Sequence, residues 1–533
     1  MKRLLVMCVI FLAAVSVVTA APGAEGGSSG EKAVYTAMVV AHRQVEDHTT
    51  TELALFREEQ TGVRIEFEVV PNNEGITLAF ASGDLPDFAL GPIGVNRITE
   101  QRWATQGILT PINEYLKTRA PNLGGLIQKY PALEQAITLP DGNIYQFPAV
   151  SQNNHTYMAN KGWVWKPWLD ALGLDEPQTV EDFREMLIAF KTKDPNGNGI
   201  ADEIPMSGAH GTWNARPDDF LMNAFVEYNR GGNFLLLQGD KVLSAATLPA
   251  FREGLKYING LYEDGLIDPA AFTQDLGQLG QLAGNPDVNI VGSYAAGHVG
   301  MGWDVATRVP DSQRILPLEG SNGRRGIPFW GIYVENEATI ALSLSNNGVI
   351  TKEADDPGGI MEWIDWFYTR EGSMWVVSGK EGTHWQTADA DQIGFLGQPA
   401  SWTDIEQVVR TEAGKVQNVW YRAPGFFDEY VRLGKAQTPD AYEFVLTKAT
   451  QEYERFISGE SIPQSMYFPL DSSDELAQLT TVIKAYLDEH IIRFITGDRD
   501  ADAEWNAFQN ELNNLDLDRM VEIYQQAYDA QYK

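Results

Sequence analysis

The chain has 533 residues, more than one compact core accommodates, so two or more lobes are expected. Its 73 acidic residues outweigh 40 basic ones, and the formal net charge of -33 disfavours nucleic acid and anionic membrane surfaces by repulsion. The same field argues against a highly anionic ligand such as a uronate polymer, unless a local basic patch overrides it.

The N-terminus reads as a secretory signal. Met1-Lys2-Arg3 precedes an apolar run from Leu4 to Val18 and the small residues Thr19-Ala20-Ala21, with cleavage expected after Ala20. Loss of Lys2 and Arg3 takes the mature charge to -35. The run is short for a membrane span, and no later stretch reaches about 18 apolar residues, so no stable membrane insertion is expected. The single cysteine, Cys8, sits too early for a lipid-anchor motif and leaves the mature chain without a disulfide. A large exported chain without disulfides fits a bacterial periplasm.

Residues 21–32 form a Gly/Ser-rich linker, and the Gly26-to-Gly30 resemblance to a nucleophile elbow falls inside it, framed by neither strand nor helix. Strands and helices then alternate. Ala33 to Val40 reads as a strand, Thr50 to Thr61 as a helix with Leu53 and Phe56 on one face and Gly62 ending it. Val63 to Val70 alternates as a strand, and Ser82 to Asp87 is a turn before another short apolar strand. Such alternation implies a parallel or mixed sheet covered on both faces. Thr179 N-caps a helix whose Phe183, Met186, Leu187 and Phe190 fall at helical spacing. From Ser473 to Tyr532 the tail is helical: Leu476, Leu479 and Ile483 share a face, Gly497 ends the first helix, and Trp505, Phe508 and Leu512 mark the next.

Directly after the Thr179 helix, residues 194–203 place oxygen donors at alternate positions: Asp194, Asn196, Asn198, the carbonyl of Ile200, and Asp202. Gly199 supplies a turn at the sixth position, as in an EF-hand loop, and calcium takes six to eight such oxygens. Position 12, where an EF-hand carries a bidentate Glu and a helix begins, is Pro205; Glu203 is the nearby replacement. A structural calcium loop without a switching helix is therefore expected, the alternative being a solvated Asn/Gly turn.

The segment Trp168-Leu-Asp-Ala-Leu-Gly-Leu running through Phe183 and into Lys193-Asp-Pro-Asn-Gly-Asn-Gly-Ile-Ala-Asp-Glu-Ile-Pro205 resembles the extracellular solute-binding proteins of carbohydrate ABC importers. The similarity is to the long subfamily that includes oligosaccharide- and alginate-oligosaccharide-binding proteins. Ser82–Asp87, Asp141–Pro148, Gly379–His384 and Phe494–Gly497 look like its recurring blocks in their usual order. The resemblance implies a two-lobed, type II-like α/β fold with mixed sheets flanked by helices, joined by crossing strands, with the solute in the cleft between lobes. It implies calcium held by Asp194, Asn196, Asn198, Ile200, Asp202 and Glu203. It places the first crossing near Pro148 to Asn154 and a return near Pro328 to Glu337. The lobes would then be 33–150 with about 335–400, and 151–334 with about 401–533. A monomer that delivers an oligosaccharide to ABC permease subunits by hinge closure follows from it.

For the ligand, sugar C–H faces stack on indoles while hydroxyls need planar polar partners. Among 14 Trp, 20 Tyr and 23 Phe, the candidates are Trp163, Trp165, Trp213, Trp303, Trp330 with Tyr333, Trp385 and Trp402, with Asp304, Arg308 and Arg324 as polar partners. Core packing is the alternative for each; Trp303, Trp330 and Trp385 have the most polar or Gly-rich flanks, and Trp168 and Trp505 are expected in the core. A secreted glycosidase-like enzyme is the second reading, since Trp-lined clefts occur there too, but no particular pair of carboxylates is marked. No His-Glu-x-x-His helix or nucleotide loop occurs; the seven His are scattered, and for His42 and His48, which could share a metal, surface positions are the favoured reading.

Overall fold

A computed structural model describes residues 33–533 apart from 42–44, 92–96, 152–153, 212, 286, 332–340, 396, 406–424, 428–430, 432, 438–441 and 464. The signal segment, the linker, Cys8, His42 and Tyr333 lie outside the described residues.

Local chemistry sets the elements where the sequence places them. The first helix is Glu52–Thr61, N-capped by the Thr51 hydroxyl and closed by Gly62 at φ 69°, a conformation that only glycine adopts without strain. The helix Val180–Thr192 begins with a capping box in which Thr179 and Asp182 satisfy each other's backbone N–H groups. The tail comprises Leu470–Thr496, closed by Gly497 at φ 83°, then Trp505–Asn514 and Leu517–Tyr532. Among the described residues no helix is long and apolar enough to cross a membrane.

The strands in chain order are β1 (Ala33–Val40), β2 (Val63–Val70), β3 (Phe88–Leu90), β4 (Gln146–Ser151), β5 (Gly162–Trp165), β6 (Leu235–Gln238), β7 (Lys241–Ser244), β8 (Ser293–Ala295), β9 (Ser312–Ile315), β10 (Ala341–Ile350), β11 (Trp385–Thr387), β12 (Trp402–Asp404) and β13 (Gly425–Phe427). One mixed sheet has the order β13-β4-β10-β3-β1-β2, and a second, three-stranded sheet has the order β8-β5-β9. The result is the expected mixed α/β architecture with a helical C-terminal region.

Each sheet has its own core. The first gathers Ala37, Phe88, Phe147, Ile350, Trp363 and Phe367 with Leu123 and Ile127. The second gathers Trp163, Phe183, Leu187, Phe190, Tyr294 and Leu255 with the tail residues Leu487, Phe494 and Phe508. Trp168 lies in the second, edge-on to Phe190 at 5.2 Å. Trp402 and Val431 pack in the first core, so chain beyond residue 401 still contributes there, and helix Tyr442–Glu454 sends Leu446 and Ala449 into the second.

Among the described residues the chain passes between the sheets from β4 to β5, from β9 to β10, and, after β13 and the Val431 segment, to the helix Tyr442–Glu454. The register brings the first two passages to one level. Ser151 at the end of β4 pairs with Ala341 at the start of β10 on one side and with Phe427 at the end of β13 on the other. A single hydrogen-bonded row therefore carries the first passage out of the sheet and the second one back into it, whereas after Phe427 the chain returns to the first core at Val431 and pairs Lys435 with Trp402 before it reaches Tyr442.

Candidate functional site

In open α/β sheets, ligands bind beyond the carboxyl ends of strands. β8 ends at Ala295, followed by Gly297 and His298. Gly297 has a local reason to be glycine: a Cβ there would stand 2.7 Å from the Trp213 ring, which lies against this backbone. The Gly297 N–H also donates to the Trp213 carbonyl at 3.2 Å. Asn214, next in the chain, holds φ 48° and donates through its amide to Asn160 Oδ1 at 3.1 Å; Asn160 in turn donates to the Asp219 carbonyl at 2.6 Å. Trp213 is thus fixed from three sides yet remains only half-buried.

Other aromatics cluster where the crossing segments reach the second sheet. His155, in the 3-10 turn Asn154–Tyr157 after β4, sits edge-on to Trp213 at 6.3 Å. His298 and Tyr442, the latter directly after the third crossing, are 5.2 Å apart. Trp330, on the return crossing, donates its backbone N–H to the Tyr157 carbonyl at 3.1 Å and lays its ring against Gly231. His155, Tyr157, Trp213, His298, Trp330 and Tyr442 are all half-buried. Each crossing contributes an aromatic side chain to this shelf. The sequence candidates include Trp213 and Trp330 but not the rest, because tryptophans, with Tyr333 the one other aromatic, were weighed; the available signal was an aromatic next to each predicted crossing.

Most of the other candidates belong to the cores. Trp163 and Trp165 are both buried because β5 is the middle strand of its sheet, covered on both faces. The Trp163 indole N–H donates to the Ala296 carbonyl at 2.9 Å. Trp303 is 1% exposed, packed between Trp165 and Tyr294. Trp402 is buried against Trp385. Trp385 borders a cavity of about 600 Å³ with Arg370 and Lys380, but it is 4% exposed and its N–H donates to the Gly379 carbonyl. Asp304 caps its own turn, accepting from Ala306 and Thr307. Arg324 is engaged by Glu227 and Glu460 at 2.8 and 2.9 Å, and Arg308 by the Asn285 carbonyl. These eight side chains serve packing and structural bonds. His48 is buried 5.7 Å from Phe67.

The 194–203 loop has the expected turn geometry. Asp194 takes φ 46°, Gly197 70° and Gly199 76°. Asp194 accepts from the Asn198 and Gly199 N–H groups at 3.2 and 3.0 Å, Asn196 from Asn198 N–H at 3.0 Å, and Asn198 from Ile200 N–H at 2.7 Å. Asn196 and Asn198 also turn their amides to Asp202 at 3.0–3.2 Å. One Glu203 oxygen is buried with no hydrogen-bond donor, and burial plus the nearby Asp194 and Asp202 charges push its carboxyl above the usual range. Among the described residues no group of three or more His, Cys, Asp or Glu side chains gathers as a metal site by itself. The donor set of this loop is mixed instead: carboxylate, amide and carbonyl oxygen, with an orphaned carboxylate oxygen, which is calcium chemistry.

Beneath the shelf lies a buried charge network. Arg216 donates to both oxygens of Asp218 at 2.8 and 2.6 Å, Tyr228 donates to the same carboxylate, and Arg230 bridges Asp488 at 3.0 Å and Asp219 at 3.4 Å. Arg216, Asp218 and Asp219 are fully buried. Asp488 belongs to the long tail helix, so the network fastens the tail to the segment that supports Trp213.

The sequence pattern of the bacterial extracellular solute-binding proteins matches residues 26–374. The chain belongs to that family. It is 28% identical over 489 residues to the fructooligosaccharide ABC transporter substrate-binding protein FusA of Streptococcus pneumoniae serotype 4, covering 89% of this chain and 85% of FusA. The solved structure of FusA in complex with kestose superimposes with a TM-score of 0.74 at 24% identity, over 93% of this chain and 99% of that one. An HMO-binding, ABC-transporter-associated solute-binding protein from Bifidobacterium longum infantis gives 0.77 at 19% identity, over 94% and 99%. The alginate-binding protein AlgQ2, solved without calcium ion, gives 0.66 at 20%, over 94% and 99%.

Proposed function

We propose that this protein is the substrate-binding component of an ABC importer, that it captures a neutral oligosaccharide between two lobes, and that it hands the sugar to a membrane permease from the periplasm as a monomer. The observation that carries the reading is the passage of two crossings through the Ser151 row, with half-buried aromatics from all three crossing segments on the second-sheet side. Rotation about such a row is hinge closure, and the two large cores keep their own packing while Tyr467, buried beside Phe80 and Trp103 and donating to the Ala136 carbonyl at 3.1 Å, forms a contact between the lobes. Half-buried aromatic faces beside histidines suit sugar rings, which need apolar faces and polar edges together. The charge of -33 favours a neutral glycan. FusA, with its fructooligosaccharide name and its kestose complex, supports the same ligand class.

The lobes we assign differ from the sequence expectation at one boundary. The first comprises 33–151 and 341–437, and the second 154–331 with 442–533, because Trp402 and Val431 pack in the first core and Gln437 N–H donates to the Ile393 carbonyl. Calcium is assigned to Asp194, Asn196, Asn198, the Ile200 carbonyl, Asp202 and Glu203, where it supplies structural cross-linking rather than sugar contacts. Isothermal titration against kestose and longer neutral oligosaccharides tests the site. Trp213→Ala should weaken the best ligand at least ten-fold, on the order of 1.4 kcal/mol, as expected for a central aromatic anchor. Trp163→Phe, a core change, should leave affinity within about two-fold. Equal effects from the two would place the ligand elsewhere. A glycan panel incubated with the protein tests the glycosidase reading, which requires product.

A further inference from the structure

Lys161 is fully buried on the segment joining the first crossing to β5, and no carboxylate pairs with it among the described residues. A lone ammonium in such a place is costly, so what it touches is informative. Its Nζ donates to the carbonyl of Met158 and, at 3.4 Å, to that of His155. It also stands 5.4 Å from the Tyr453 ring, a cation–π contact. Those two carbonyls belong to the turn that carries His155 and Tyr157. The neighbour Asn160 is tied to Asn214 and the Asp219 carbonyl, and the Lys161 backbone accepts from Ala296 N–H at 3.0 Å. The ammonium is thus the pin that closes the turn onto the second sheet.

We propose that Lys161 is a positioning residue for the solute site: its buried Nζ fixes the 155–158 turn, which sets His155 against Trp213 and the Tyr157 carbonyl against Trp330. The proposal rests on the reading of the shelf as the solute site. It carries a pH signature. Burial brings the Lys161 ammonium down to about 7, so the charged donor is present below neutrality and is lost as pH rises through that value. The groups facing it are the His298 imidazole three residues beyond β8, itself held below its ordinary value by burial against the opposing pull of Glu443, then Tyr453 on the helix Tyr442–Glu454, and His155 on the turn. Global stability moves the other way. A lysine depressed on folding binds fewer protons than the unfolded chain between about pH 7 and 10.4, so stability rises across that range. Loosening of the turn at higher pH is therefore separable from unfolding.

Amide hydrogen exchange on the full chain, corrected for intrinsic rate, is the test, with Lys161→Met and Lys161→Gln as variants. At pH 6, the amides of 155–161, Ala296 and Trp330 should exchange at least ten-fold more slowly in the wild type than in either variant, and the gap should shrink at pH 8.5. The variants should match or exceed the wild-type melting temperature at pH 6, since a buried charge has gone. Equal exchange at pH 6 overturns the proposal, as does a protection loss that spreads over the whole second core. With kestose as probe, wild-type affinity should fall from pH 6 to 8.5 while Lys161→Met binds at least ten-fold more weakly and without pH dependence. If kestose and longer oligosaccharides fail to bind the wild type, the carbohydrate reading fails, and the exchange comparison still decides what Lys161 holds.

Discussion

Replacing Asp218 with Ala should destabilise the second core by about 3–5 kcal/mol, the cost of leaving a buried charge without its partner. Arg216 is fully buried, and its bidentate bond to Asp218 is the short, well-aligned contact of the network; its remaining carboxylate, Asp488, stands 3.5 Å away. With Asp218 gone, the Tyr228 hydroxyl and the Arg216 guanidinium lose their acceptor together. Urea unfolding followed by tryptophan fluorescence should report the loss, whereas Arg216→Met with Asp218→Leu should recover most of it. Full loss in the double variant would mean the network specifies packing rather than charge balance. The same cluster predicts an acid-side effect. Burial, and then the Asp218 charge, push Asp219 up to about 6 against the opposing pull of Arg230. Its folded value lies above the unfolded one, so the native state binds the extra proton between about pH 4 and 6. Its contribution is fully present below that window and fades as pH rises through about 6. Asp219→Asn should therefore flatten the stability change between pH 4 and 6.5. An unchanged slope would assign that proton to another group.

Calcium removal should have the next largest effect. The loop 194–203 leaves the helix Val180–Thr192 and leads into a stretch woven through the second sheet: Ile204 N–H donates to Ile290, Met206 to Leu266 and Ser207 to Ser293. An ion there would cross-link the helix end to that stretch. At free calcium a hundred-fold above its dissociation constant, binding to the native state alone contributes about 2.7 kcal/mol. A chelator should lower the melting temperature of the sugar-free protein, and Asp194→Ala should abolish both bound metal and the chelator effect. Metal content unchanged in Asp194→Ala would remove the loop from the account. Saturating oligosaccharide should leave the ion in place, since the Ile204-to-Ser207 stretch, bonded to Ile290 and Ser293, lies between the loop and Trp213.

Capping and turn chemistry were readable in the chain because they are local: Thr51, Thr179, Gly62 and Gly497 act within one helix turn of themselves. The order of motif blocks carried the fold. What the chain hid was burial, which is set by neighbours far away in sequence. Trp163 and Trp165 flank Val164 like the exposed face of an edge strand, yet β9 and β8 close over β5 from both sides. Trp385 and Trp402 look alike in a Gly-rich or polar setting, and they bury each other. Conversely, His155 and Tyr442 gain significance only from the crossings that bring them beside Trp213 and His298. Trp213 is recognisable afterwards from the αL Asn214 and the Gly297 that makes room for its ring, neither of which marks itself in the sequence.

The central claim is capture of a neutral oligosaccharide by hinge closure about the Ser151 row. Small-angle X-ray scattering during titration with kestose and longer fructo-oligosaccharides measures it most directly. The account predicts saturable binding at one site per chain, a smaller radius of gyration at saturation, and sugar recovered intact. Sugar recovered as hydrolysis products, or bound without any change in radius, would contradict it.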